Sequence, residues 1–190
     1  HCGRVQTPDY TKQLCCLKLD TQSAGEFESL KQQAIEEREQ KKTIFLDQIF
    51  LSLKELADFA HNEGIFLGIE NRIYIREIPN FSEIQMMLEN FSKKGVRYWH
   101  DTGHAYVLDK LGFASHIHYL KAYHRLLLGI HLHDVTGFND HKAPYSGEID
   151  FGAMKPYVKK ETIKVIEAHR PATPQEIVFA KEKLEQLFNS

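Results

Sequence analysis

Four side chains that could bind a metal ion or move a proton recur along the sequence at similar intervals. They are Glu70, Asp101, His131 and Glu167. Each follows a short apolar or β-branched stretch, and the intervals between them are close to the roughly 30 residues of one strand–helix unit. Carboxylate and imidazole groups in this repeating position predict a site that takes one ligand from each unit.

The stretches before these side chains predict the elements that position them. Each stretch is short and rich in β-branched, aliphatic or aromatic residues, which is typical of a buried strand. Helical patterns lie between them, so the chain is expected to be an α/β protein with a parallel sheet. The carboxyl ends of parallel strands in a barrel open on one face, so the four side chains are expected to converge. The predicted strands are 65–70, 96–101, 128–133 and 162–167.

Apolar periodicity and capping signals predict the helices. Apolar residues recur at three- and four-residue steps over 43–62, and Gly64 supplies a helix-ending glycine. Thr173-Pro174-Gln175-Glu176 predicts the start of the last helix. The other predicted helices are 26–42, one that opens around Asn80 and Ser82, 106–111, 115–127 and 151–159, and the predicted loops are 5–25 and 134–150.

The four recurring side chains form a ligand set of mixed oxygen and nitrogen donors. Such a set suits Mn²⁺, Zn²⁺, Co²⁺ or Fe²⁺ better than a metal that prefers sulfur. Taken singly, each residue has a plainer interpretation as a surface group that caps a helix or forms an ion pair. Four such residues in the same register favour the metal site over that alternative.

Further polar side chains flank two of the predicted ligands. His104 follows Asp101 by three residues, and it could bind a second metal or a substrate oxygen, with a helix cap as the alternative. His133 shares a strand face with His131, and Asp134 could orient either ring.

Other candidates come from loops and strand ends. Asp140 and His141 lie in the loop predicted after the third strand, where they contact substrate or are simply solvated. His1 stands where another strand end would place it. By strand alternation, His100 faces away from the site and is expected in the core.

Composition bounds the class of protein. The chain has 190 residues, of which 42% are hydrophobic, and its formal net charge is −2. This length and apolar content predict a single domain, and the lack of a basic excess argues against nucleic acid as a partner. No apolar run reaches the roughly 18 residues of a membrane span. Three cysteines do not suggest a disulfide framework, so a cytoplasmic protein is expected.

The motifs around these residues resemble those of a known superfamily. In order and spacing they are similar to the xylose-isomerase-like TIM barrels, which include sugar isomerases, sugar epimerases and abasic-site nucleases of the endonuclease IV type. The motifs are Gly-Ile-Glu-Asn at 68–71, Trp-His-Asp-Thr-Gly-His-Ala at 99–105, Ile-His-Leu-His-Asp at 130–134, Gly-Glu-Ile-Asp-Phe at 147–151 and Ile-Glu at 166–167.

The resemblance implies a fold and a site. The fold is a TIM (β/α)₈ barrel, of which residues 1–190 form one domain that runs from the end of strand four through helix eight. Half a barrel exposes strand edges, so further chain or a partner such as a second copy is expected to cover them. The implied ligands of one divalent ion (Mn²⁺, Zn²⁺, Co²⁺ or Mg²⁺) are Glu70, Asp101, His131 and Glu167, with Glu70 and Glu167 as the catalytic pair. The implied contacts to substrate or to a second metal are His104, His133, Asp140, His141 and His1.

The resemblance also implies an activity. It is the isomerisation or epimerisation of a sugar, a sugar phosphate or a related polyol or keto compound by proton transfer next to a carbonyl. The alternative is an abasic-site phosphodiesterase, and a non-catalytic barrel is a third hypothesis. The nucleases carry Gly-Glu-Gly where this chain has Tyr145-Ser146-Gly147-Glu148, and together with the acidic balance this departure places the nuclease second.

Overall fold

The computed structural model describes residues 2–189, which fall into two compact units, His1–Val96 and Arg97–Ser190. The first unit alternates short strands with helices. Its elements are β1 (Gly3–Arg4), α1 (Tyr10–Leu19), α2 (Ala24–Asn62), β2 (Leu67–Glu70), β3 (Glu77–Ile78), α3 (Phe81–Phe91) and a 3-10 turn (Ser92–Lys94).

One helix of 39 residues, α2, dominates the first unit. It joins the two helices predicted over 26–42 and 43–62, because no glycine or proline interrupts the sequence between them. It ends at Asn62, and Gly64, just beyond its C-cap, has a φ of +68°, the left-handed conformation expected of a helix-ending glycine.

Helix α1 occupies part of the predicted loop 5–25, so that prediction was wrong. Tyr10 and Leu14, one turn apart, are buried, and Gln33 of α2 donates a hydrogen bond to the Tyr10 hydroxyl at 3.1 Å. This segment therefore becomes helical because its apolar stripe packs against a longer helix.

The first predicted strand is shorter in the structure than in the sequence pattern. Strand β2 begins at Leu67, whose N–H donates to the carbonyl of Gly95 at 3.1 Å. Ile65 and Phe66 precede the strand and are more than half exposed, at 52% and 56%. The unit also contains an antiparallel pair, β1 with β3, that the sequence did not predict.

A buried ion pair joins α2 to the start of α3. Arg38 is 3% exposed and donates from Nη1 and Nη2 to the two carboxylate oxygens of Glu83, both at 2.7 Å. Glu83 also completes a capping box with Asn80, so Asn80 is the one of the two predicted start residues that caps α3. The same carboxylate thus satisfies a helix start and a buried guanidinium.

Three parallel strands form the sheet of the second unit, in the order β4, β5, β8. They confirm the predicted strands 96–101, 128–133 and 162–167. The register pairs Asp101 with His131, and His131 with Val165. The elements are β4 (Val96–Asp101), α4 (Thr102–Lys110), α5 (His116–Tyr123), a 3-10 turn (His124–Leu126), β5 (Leu127–Leu132), β6 (Asp134–Thr136), β7 (Asn139–Lys142), a 3-10 turn (Phe151–Met154), β8 (Ile163–Ile166) and α6 (Pro174–Asn189).

A hairpin replaces the first part of the loop predicted over 134–150. Strands β6 and β7 pair antiparallel around a turn that contains Gly137 at φ +64°. The buried carboxylate of Asp134 accepts hydrogen bonds from the backbone N–H groups of Val135, Gly147 and Ile149 at 2.8–2.9 Å. Asp134 therefore organises this segment through backbone donors, whereas the sequence suggested that it orients a histidine ring.

His100 lies in the core of the second unit, as predicted. It is fully buried, and its Nδ1 is 2.6 Å from the hydroxyl of Tyr98. Burial lowers the pKa of His100 to about 3, so the ring is neutral at physiological pH.

No helix within residues 2–189 is both long enough and apolar enough to cross a bilayer.

The Arg38–Glu83 pair gives a testable prediction. Arg38→Ala should lower the free energy of unfolding by about 3–5 kcal/mol, because it leaves the Glu83 carboxylate buried without its counter-ion. Denaturant titration followed by far-UV circular dichroism measures this. Lys54→Ala, which removes an exposed pair with Asp58 on the same helix, is the control and should change stability little. Equal losses for the two variants would contradict the prediction.

Candidate metal centre

Three of the predicted ligands meet at the carboxyl end of the sheet. Asp101 ends β4, His131 lies near the end of β5, and Glu167 follows β8 directly. His131 Nδ1 is 3.1 Å from Glu167 Oε2 and 3.6 Å from Asp101 Oδ2. One donor atom from each of the three side chains lies within 4.8 Å of the others. Two carboxylates and an imidazole at these distances can surround a divalent cation.

The Asp101 carboxylate is fully buried and firmly held. Its Oδ1 caps α4 by accepting the N–H of His104 at 2.8 Å, and it also accepts the ring Nε2–H of His133 at 2.8 Å. Burial by itself raises the pKa of Asp101, but His104, His131 and His133 outweigh that effect and hold the pKa well below its usual range. Asp101 is therefore an ionised carboxylate in a fixed orientation.

His133 orients Asp101 with both ring nitrogens engaged. Nε2 donates to Asp101, and Nδ1 accepts the backbone N–H of His141 at 2.8 Å. Burial lowers the pKa of His133, but its bond to Asp101 and the surrounding carboxylates raise it overall. The N–H aimed at Nδ1 opposes protonation, so the hydrogen bonds are those of the neutral Nε2–H tautomer. In this arrangement His133 offers an ion no lone pair.

Close packing behind the site depends on two glycines. A Cβ on Gly103 would lie 2.2 Å from Cε1 of His133, and a Cβ on Gly129 would lie 2.3 Å from Cζ3 of Trp99. The Trp99 ring can therefore lie edge-on to His131, with ring centroids 5.1 Å apart. The sequence pattern predicted no role for Gly103, Gly129 or Trp99. Strand alternation was the available signal for Trp99, because it shares a strand face with Asp101.

His104 lies between two carboxylates. Its Nδ1 is 3.4 Å from Asp101 Oδ1, and its Nε2 is 3.9 Å from Asp140 Oδ2. The side chain is 8% exposed, whereas that of Asp140, on strand β7, is 25% exposed. Asp140 Oδ2 also lies 3.6 Å from Nε2 of His141. These three predicted residues thus lie together beside the ion-binding group.

Histidine rings near the site form a stack. The centroids of His133 and His141 are 4.2 Å apart with 17° between the ring planes, and those of His141 and His169 are 4.0 Å apart with 19°. Two further groups have donor atoms within 4.8 Å of one another, namely His104 with His133 and His141, and His141 with Glu167 and His169. A ring nitrogen directs its lone pair within the ring plane, so nearly parallel stacked rings cannot both point at one ion. Asp101, His131 and Glu167 are free of this conflict.

Two predicted site residues are not among the side chains described above. Glu70 ends β2 in the first unit, where Nη1 of Arg72 donates to its Oε2. Nη2 of Arg72 also donates to Glu77 at 3.3 Å. His1 falls outside the described residues. The roles assigned to Glu70 and His1 stay predictions.

The comparisons with known proteins agree with this fold. The family model described as the xylose isomerase-like TIM barrel matches residues 30–185. The crystal structure of a D-tagatose 3-epimerase-like protein is 22% identical with a TM-score of 0.56, and the apo form of the 3-keto-D-glucoside 4-epimerase YcjR from E. coli is 15% identical with a TM-score of 0.59. No curated protein sequence matches the chain.

The two solved structures support the fold alone, because their identities with the chain are low. Each alignment covers 75% of this chain and 54% of the other, so the chain spans about half the length of these epimerases. The family model, in contrast, covers most of the chain. The motif order, the parallel strands and this match lead to one conclusion: the chain belongs to the xylose isomerase-like TIM-barrel family.

Proposed function

We propose that the protein is a divalent-metal-dependent isomerase or epimerase that acts on a sugar, a sugar phosphate or a related polyol or keto compound. The observation that carries the proposal is the convergence of Asp101, His131 and Glu167 at the carboxyl end of three parallel strands. Active sites of TIM barrels lie at that end. The two solved structures of the same fold are described as an epimerase and an epimerase-like protein, and the proposal extends that reaction class to this chain.

The donor set fits one divalent ion. Two carboxylates offset the charge of the cation, and His131 presents Nδ1 to the space they enclose. Oxygen and nitrogen donors of this kind suit Mn²⁺, Zn²⁺ or Co²⁺, and Mg²⁺ is the alternative with more water ligands. An ion held by these residues would supply Lewis-acid polarisation of a substrate carbonyl and would stabilise the negative charge that develops on its oxygen. Glu70, in the first unit, remains the predicted fourth ligand.

Glu167 is the best-placed base within the second unit. Its side chain is 36% exposed, so a substrate can reach it. Its Oε2 lies 3.1 Å from Nδ1 of His131. In the proposed reaction a glutamate takes the proton from the carbon next to the carbonyl, and a second glutamate returns a proton. Glu70 is the predicted partner, so the two glutamates share the proton transfers.

His104 and Asp140 are proposed to bind the substrate. The nearly buried His104 ring lies between Asp101 and Asp140, whose carboxylate oxygens can accept a hydrogen bond from a ring N–H. Such a ring can donate a hydrogen bond to a substrate hydroxyl or carbonyl oxygen. The abasic-site nuclease has less support, since the stacked histidine rings do not favour the further ions that its chemistry needs.

The proposed base gives a mutational prediction. Glu167→Gln should reduce turnover by roughly 10²–10⁴-fold while the fold stays intact, because an amide cannot accept the proton. The assay is NMR-detected epimerisation or isomerisation across a panel of keto-sugars and their phosphates, with circular dichroism as the check on folding. Glu161→Gln, an exposed carboxylate two residues before β8, is the matched control. Unchanged turnover by Glu167→Gln on the true substrate would overturn the proposal.

The proposed ion gives a binding prediction. Trp99 is the only tryptophan in the sequence and contacts His131, so its fluorescence should report the site directly. Titration of the protein with Co²⁺ should quench Trp99 saturably at one equivalent per chain. His131→Ala should abolish the saturable quenching, whereas the exposed His118→Ala should not.

Removal of the ion separates the proposal from a non-catalytic barrel. An ion that binds only the folded state stabilises it by mass action, by about 2.7 kcal/mol at a hundredfold excess over Kd. EDTA should therefore lower the melting temperature of the Co²⁺-loaded protein but not that of His131→Ala. Equal melting temperatures with and without EDTA, together with an unquenched Trp99, would contradict metal binding at this site.

A further inference from the structure

His141 has a left-handed backbone conformation. It lies in strand β7, and its φ is +53°, in the left-handed region that few residues other than glycine adopt, histidine being among the more frequent of them. Such a conformation persists only where the surrounding structure holds it. Its side chain is 18% exposed, so most of the ring is enclosed by protein.

Hydrogen bonds connect His141 to two of the proposed ligands. Its backbone N–H donates to Nδ1 of His133 at 2.8 Å, and Nε2–H of His133 donates to Asp101 at 2.8 Å. Its ring Nδ1 lies 3.1 Å from the carbonyl oxygen of Glu167. A carbonyl only accepts, so Nδ1 carries the proton and donates it. His141 thus contacts Glu167 directly and reaches Asp101 through one intermediate ring.

The same residue is tied to the segment after β8. The N–H of His169 donates to the His141 carbonyl at 2.8 Å, and the two rings stack at 4.0 Å. His133 stacks on the other face of His141 at 4.2 Å. Three hydrogen bonds and two ring stacks, five contacts in all, therefore fix the position of His141.

We propose that His141 is a positioning residue, which holds Asp101 and Glu167 at the separation that the ion requires. It does so through its backbone N–H on one side and its ring Nδ1–H on the other. This inference rests on the proposed function. It assigns His141 a role through other side chains, in place of the contact with substrate or a second metal that the sequence suggested. Its working atom is Nδ1, and Nε2 is not required.

Three substitutions at one position test which ring nitrogen matters. Asparagine places an N–H near the position of histidine Nδ1 and tolerates a positive φ, whereas glutamine reaches the position of Nε2. Alanine replaces neither nitrogen. Each variant of the whole protein is titrated with Co²⁺, and Kd is read from Trp99 quenching. The visible absorption spectrum of the bound Co²⁺ reports its ligands independently of enzymatic activity.

The expected pattern is specific. His141→Ala and His141→Gln should weaken Co²⁺ binding roughly 10–100-fold, the range for residues that orient ligands. His141→Asn should stay within a few-fold of the wild type. All bound forms should keep the wild-type Co²⁺ spectrum, because no ligand has been removed. His118→Ala serves as the control and should match the wild type.

Other outcomes overturn the inference. Rescue by glutamine but not asparagine, or a changed Co²⁺ spectrum, would make His141 a direct contact through Nε2. Wild-type affinity in all three variants would leave His141 without a positioning role. If His141→Ala fails to fold, the asparagine–glutamine comparison decides. A wild-type protein without saturable quenching would overturn the proposed function as well. Saturable binding that His131→Ala abolishes but that all three His141 variants keep at wild-type affinity would overturn only this inference.

Discussion

A carboxylate with no exposed surface is the constraint on which the second unit depends. Asp101 is buried and ionised, and a buried charge is tolerated only when its oxygens are satisfied. The N-terminus of α4 supplies one donor and His133 another. This one group thus ties together the start of α4 and the residue between β5 and β6.

The histidines around the site fall into two groups by what their nitrogens contact. His131 faces the space between two carboxylates, whereas His133 bonds the Asp101 carboxylate and His141 bonds the backbone carbonyl of Glu167. Stacking explains the division, because parallel imidazoles cannot converge on one ion. A histidine-rich sequence therefore need not mean several metal ions. In this unit the rings surrounding one proposed centre serve mainly to hold it.

Much of the fold was predictable from local patterns. Three of the four strands in the pattern appear where the apolar runs placed them, and Thr173 and Glu176 begin α6 by the predicted reciprocal hydrogen bonds. The segments that were wrongly predicted as loops lack a strong local signal for a helix or a strand. Helix α1 has no side-chain cap at its start, and strand β7 reads Asn-Asp-His-Lys, which has no apolar alternation. Both form because a neighbouring segment supplies the partner, α2 for the helix and β6 for the strand.

The sequence by itself determined the alternation of strands and helices and the placement of Asp101, His131 and Glu167 at strand ends. The three side chains recur at about the length of one strand–helix unit. Parallel strands have their carboxyl ends on one side of the sheet, so the three side chains share that side. Only the tertiary structure decided what each neighbouring histidine does. Whether a ring nitrogen meets a carboxylate, a carbonyl or another ring depends on strand register and on the turn at Gly137. Those contacts join residues far apart in the chain, and no local pattern records them.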